Sequence, residues 1–230
     1  MLLLIMYWKN QAPMKHGSWQ GALALFVYAV ALSFAYRSIN TGAGALVLFG
    51  AVQLTMLLAG YIAGERMRSL QSIGFVAAMA GLVILVSPSA AAPSFSDSML
   101  MLASGIAWGL YSILGRNLPN PVAVTAGNFI RAAPLAICLS LVTLPWLQID
   151  TQGMIYAVTS GALTSGIGYV LWYRILQHMS AMTASTIQLS SPLLAALGGI
   201  IFLGEALTRE LLISSMLILG GIWLVLRYRK

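Results

Sequence analysis

Apolar residues in this chain come in runs of about 20, separated by short polar breaks. The runs cover roughly 19–37, 41–63, 69–87, 98–116, 121–145, 154–176, 181–203 and 208–226. As α-helices, each is long enough to cross a ~30 Å hydrocarbon core. They are too long, and alternate too little, to be strands of a closed barrel. The breaks carry turn and helix-end chemistry: Ser38-Ile39-Asn40, Gly64-Glu65-Arg66, Ser87-Pro88, Asn117-Leu118-Pro119-Asn120-Pro121, Asp150-Thr151 and Gly204-Glu205. Residues 1–8 are apolar but too short to span. The pattern predicts an all-α, polytopic membrane bundle of about eight transmembrane helices, with no room for a soluble domain.

Composition agrees. Of 230 residues, 60% are apolar and 7% are charged, against roughly 25% charged in soluble domains. Lipid is therefore the main solvent. The net charge of +7 is scattered rather than clustered, so nucleic acid is not an expected partner. Cys138 is the single cysteine and His16 and His178 are the two histidines. No metal-ligand spacing occurs, and no cofactor or metal is expected. The N-terminus, MLLLIMYWKNQ, lacks both a basic leader and a small-residue cleavage site.

Lys and Arg set the orientation. Alternating eight spans puts Lys9, Lys15, Arg66, Arg68, Arg116, Arg174, Arg227, Arg229 and Lys230 on one side. Arg37 and Arg209 fall on the other, and Arg131 lies inside a span. The positive-inside rule makes the basic side cytoplasmic, with both termini there.

The chain also repeats itself. A shift of 140 positions aligns Gly64-Glu65 with Gly204-Glu205 and GLVILV (81–86) with GIWLVL (221–226). In the same frame Leu54, Leu57 and Ile73 meet Leu194, Leu197 and Ile213. The two Gly-Glu turns lie five spans apart and so face opposite sides of the membrane. That is the pattern of an inverted repeat, an architecture of secondary carriers. Residues 95–230 read as a complete repeat of five helices. Residues 1–90 read as an incomplete first repeat of about three helices plus a remnant, lacking two helices of a ten-span protein.

These segments resemble a known family. GYVLWYRILQHMSAMTASTIQLSSPLLAALGGIIFLGEALT (168–208) is similar to the hallmark of the EamA branch of the drug/metabolite transporter superfamily. SGIAWGLYSILGR (104–116) resembles the first helix of that family's repeat, and NFIRAAPLA (128–136) its second. The resemblance implies a ten-helix inner-membrane carrier of two inverted five-helix repeats, exporting metabolites or drugs. The first half departs from the pattern by carrying Ala51-Val52 where the second has Ser191-Pro192.

Polar groups in lipid-solvated helices turn toward protein or water, so they outline candidates for a substrate path. On 98–116, Trp108, Tyr111 and Ser112 share a face with Ser104. Ser165 and Trp172 share another on 154–176, with Thr164 and Tyr169 at its margin. Gln188 and Ser191 lie on a small, polar stripe of 181–203, where Pro192 should break backbone pairing near Gln188. Helix packing and hydroxyl back-bonding compete with the path reading for the Ser, Thr and Gly positions. Interface anchoring competes for Trp108 and is favoured for Trp172. Arg131 either meets an anionic substrate group or snorkels to the interface, with Asn128 one turn earlier as an acceptor. Glu65 and Glu205 read as structural helix ends bonded to turn backbone.

The sequence thus points to a secondary transporter of small molecules, probing no particular substrate, rather than an enzyme. An intramembrane enzyme needs a nucleophile–base pair or metal cluster that these spans lack. A channel needs a filter or charged rings. A truncated carrier remnant, and a chain that closes its cavity as a homodimer, stay open as alternatives.

Overall fold

The computed structural model describes residues 16–87, 93–116, 118–146, 150–204 and 206–228. Within these the chain is helical: α1 Trp19–Ala35, α2 Thr41–Ile62, α3 Ser69–Val86, α4 Phe95–Gly115, α5 Pro121–Thr143, α6 Thr151–Val158, α7 Gly166–Leu176, α8 Ala181–Gln188, α9 Ser190–Leu203 and α10 Arg209–Arg227. A π-helical turn, Thr159–Ser165, joins α6 to α7. A single residue, Leu189, separates α8 from α9. Seven helical stretches are long and apolar enough to span a membrane, and α1 is a shorter apolar helix. The polytopic helical bundle expected from the hydrophobic pattern is the fold observed.

Local chemistry sets the helix ends. α5 starts on Asn120 in the left-handed region (φ 57°), whose side chain accepts from the Ala123 N–H, with Pro121 in the first helical position. Asp150 Oδ1 accepts from the Gly153 N–H at 2.6 Å, starting α6 earlier than hydropathy alone suggests. Asp97 accepts from the hydroxyls of Ser38 and Ser94 at 2.8 and 2.7 Å, fastening the start of α4. The span expected at 154–176 is not one uniform α-helix, because the glycine- and hydroxyl-rich run Thr159–Ser165 relaxes into the π turn.

Two compact units form. Of the described residues, one unit comprises those up to Ala29 and those between Leu110 and His178, the other those between Val30 and Gly109 and those from Met179 onward. In the second unit α3 and α10 pack through backbone. A methyl group at Gly74 would lie 2.6 Å from the Gly221 carbonyl oxygen, and one at Gly81 3.0 Å from that of Ser214. Around this seam Ala78, Leu82, Val86, Leu189, Leu193, Leu211 and Ile218 are buried together. α4 approaches α2 equally closely, Gly105 against Leu48 and Ala51, and Gly109 against Thr55. Such small-residue contacts let membrane helices gain dispersion where lipid removes the hydrophobic drive.

The 140-residue shift persists in the backbone. It relates the helix-starting residues Asn40 and Ser180, and Arg68 and Thr208. It relates the left-handed glycines Gly64 (φ 87°) and Gly204 (φ 69°). The span Thr41–Ile62 maps onto Ala181–Phe202, residue for residue. One difference stands out: α2 runs unbroken through Val52, whereas the helix carrying Pro192 at the corresponding position is interrupted at Leu189. Proline supplies no N–H for the Gln188 carbonyl, as its position predicted.

Candidate functional site

In the first unit, aromatic side chains from α4, α5 and α7 converge. Tyr111 and Tyr173, 0% and 1% exposed, stack with ring centroids 4.9 Å apart. The Tyr173 hydroxyl donates to the Tyr111 carbonyl at 2.9 Å. Gly115 makes room, since a methyl there would overlap the Tyr173 ring. Tyr169 leans on Tyr111 and stacks with Phe129, each at 5.8 Å. Trp172 Nε1 donates to Ser112 Oγ at 2.9 Å. Positions 169, 172 and 173 share one face of α7, so a single helix face carries three of these contacts. The arrangement is a buried aromatic cluster whose edges carry the Trp172–Ser112 and Tyr173–Tyr111 hydrogen bonds.

Arg131 and Asn128 do something else. Arg131 Nη1 donates to the carbonyls of His16 and Gly127 at 2.6 and 3.0 Å. Asn128 Oδ1 accepts from the Ser18 N–H at 2.9 Å. Gly17 (φ 75°) and Gly21 let the chain lie against Asn128, where a methyl would come within 2.7 and 2.8 Å. Together they fasten the start of α1 to α5, a backbone clamp that neither anion binding nor snorkelling anticipates. Thr164 is exposed and donates to the Ser160 carbonyl of its own helix at 2.6 Å, while Ser165 is half-buried at the end of the π turn.

The second unit carries Trp108, Gln188 and Ser191. Trp108 is half-buried and Ser191 exposed. Gln188 is 8% exposed and sits at the helix interruption. There the Leu189 N–H turns to the Thr186 carbonyl at 3.1 Å, which leaves the Ser185 carbonyl without its usual partner. Gln53 Nε2, from α2, donates to that carbonyl at 2.8 Å. Among the described residues, Gln53 Oε1 and Gln188 Oε1 are buried without a hydrogen-bond partner. Sequence reasoning missed Gln53, although an amide within an apolar span was a legible signal.

Glu65 closes a different contact from the one expected. Its own turn is satisfied by backbone: Glu65 N–H donates to the Gly60 carbonyl and Gly64 N–H to that of Tyr61, at 2.8 and 3.1 Å. The carboxylate instead accepts from the Ala181 and Met182 N–H groups, at 3.0 and 3.1 Å, at the start of α8. Glu205 lies outside the described residues.

Residues 97–227 match the EamA-like transporter family. The chain belongs to that family. This EamA-like protein is 47% identical over 230 residues to an uncharacterized protein of Pseudomonas aeruginosa, covering 100% of this chain and 80% of that one. It is 24% identical over 198 residues to a probable amino-acid metabolite efflux pump of Salmonella typhimurium, covering 80% of this chain and 66% of the pump. A crystal structure sharing 21% identity superposes with a TM-score of 0.78 over 92% of this chain and 75% of its own, so the fold is shared. The EamA-like chain is accordingly a multi-pass membrane transporter handling a small-molecule substrate within the lipid bilayer.

Proposed function

We propose that this transporter is a secondary carrier exporting small organic metabolites by alternating access, built from two inverted repeats covering 1–90 and 95–230. The observation that carries the reading is the 140-residue register. Helix starts, left-handed turn glycines and the α2 and α8–α9 spans recur in it. The α3–α10 seam supports it further: Gly74 meets Gly221 and Gly81 meets Ser214, and the shift by 140 exchanges one contact with the other. Two elements related this way can exchange roles as access switches from one side to the other.

Within the first unit Tyr169 and Trp172 are the candidates for contact with substrate, packed on the fully buried Tyr111 and Ser112; within the second unit the candidate is Gln188. An amino-acid metabolite is the substrate class favoured, in line with the name of the Salmonella efflux pump. The protein sits in the inner membrane with both termini cytoplasmic. Arg66, Arg68, Arg116, Arg174 and Arg227 fall together on one side in this arrangement. The Glu65–Ala181 contact joins two segments assigned to that same side.

Counterflow tests the function. Proteoliposomes loaded with an unlabelled amino acid and diluted into a trace of the radiolabelled compound should accumulate label transiently, a behaviour of carriers that channels lack. Absence of counterflow across the twenty amino acids and their simple amines, with folded protein incorporated, would refute it.

A further inference from the structure

We propose that the interruption between α8 and α9 holds a protonated primary amine, bound by Gln53 Oε1, Gln188 Oε1 and the main-chain carbonyl of Gln188. Each acceptor has its own cause. Pro192 lacks the N–H that would pair with the Gln188 carbonyl. The Gln53 amide is oriented by its bond to the Ser185 carbonyl at 2.8 Å, which uses one Nε2 hydrogen and leaves Oε1 as an acceptor. Gln188 follows Ser185 by one helical turn on the same face, which brings the two amides to the same stretch of α8. The two side chains are 2% and 8% exposed, and both oxygens lack a partner among the described residues.

Buried acceptors without donors are costly, so a native site that retains them is built for a donor. A primary ammonium brings three N–H donors and no acceptor, matching three oxygens. A water molecule would bring two acceptor positions of its own into a lining already short of donors. The last turn of α8 adds the partial negative charge of a helix C-terminus. Gln53 and Gln188 lie roughly 10–14 Å in from the ends of their spans, a depth where a carrier binds its cargo. The proposal names the substrate class of the carrier proposed above and rests on that reading for its role in transport, though not for binding.

Isothermal titration of the full chain in detergent micelles with butylammonium chloride tests it. Tetramethylammonium chloride, which has the charge but no N–H, and sodium chloride serve as comparators. The expected result is saturable butylammonium binding, with tetramethylammonium and sodium at least about tenfold weaker, as loss of charge-assisted hydrogen bonds requires. Gln188→Met should weaken butylammonium by at least about tenfold. Gln188→Glu, which adds a formal charge, should tighten it by about as much. No saturable binding, equal binding of tetramethylammonium or sodium, or an unchanged affinity in both Gln188 variants would overturn the site. Binding as expected without counterflow would leave the site standing and remove the carrier reading. Amine counterflow undiminished in Gln188→Met would remove the site and leave the carrier.

Discussion

Replacing Glu65 by alanine should loosen the start of α8. The carboxylate accepts from two backbone donors, Ala181 and Met182, at 3.0 and 3.1 Å, groups that no earlier turn of α8 can satisfy. Capping substitutions cost about 0.5–2 kcal/mol, and the helix dipole adds about 0.3–1 kcal/mol for an anion at this end. Glu65 is half-buried, so solvent screening keeps the sum toward the lower part of these ranges, about 1–2 kcal/mol. For a chain of this size that lowers the melting temperature by about 2–8 °C. Glu65→Gln keeps an acceptor oxygen but not the charge, and should lose about half as much. Gly60→Ala supplies an internal check, because its methyl would lie 2.7 Å from Glu65 Oε2 and push the carboxylate off its donors. Thermal unfolding of detergent-purified protein, followed by size-exclusion chromatography, measures all three. A Glu65→Ala protein that melts with the parent would refute the cross-helix cap.

Three further outcomes follow from particular contacts. Gly74→Ala should destabilise by about 1–3 kcal/mol, since the obstructing Gly221 carbonyl at 2.6 Å is backbone and cannot rotate away; a melt unchanged by the substitution would contradict the α3–α10 seam. Arg131→Met leaves the His16 and Gly127 carbonyls without their guanidinium donor and should lower stability by about 1–3 kcal/mol, whereas lost transport with an unchanged melt would mark a direct substrate role instead. Pro192→Val restores the N–H that Val52 supplies in α2 and should raise helix stability by up to about 3 kcal/mol, while weakening butylammonium binding; amide exchange at residue 192 and titration of the purified variant check both.

Much of this architecture was legible along the chain because bilayer thickness sets the length of every apolar run. Helix starts near Trp19, Thr41, Ser69, Pro121 and Ala181 matched the polar breaks. Hydropathy did not reveal which distant group each polar residue meets. Glu65 lies at a span end, where charge carries little cost, and nothing near it in sequence indicates donors 116 residues away. Arg131 was recognised as exceptional, yet its partners are main-chain carbonyls, which no side-chain pattern encodes. Trp172 read as an interface anchor, but its N–H is paired with Ser112 across helices. Tyr111 and Tyr169 shared faces with other candidates, and the stack of Tyr173 on Tyr111 depends on Gly115 admitting the Tyr173 ring. The π turn at Thr159–Ser165 was hidden because a local change in helical winding leaves span length and hydropathy intact.

The account stands on two oppositely oriented halves, and side-specific labelling tests that claim most directly. Cys138 is a free, exposed thiol, so Cys138→Ser provides a background for single cysteines at Ala63 and Ala206, beside the two Gly-Glu turns. In sealed, right-side-out vesicles a membrane-impermeant maleimide should label the Ala63→Cys protein only after permeabilisation and the Ala206→Cys protein before it. Labelling of both from the same side would contradict the inverted repeat and the carrier built on it.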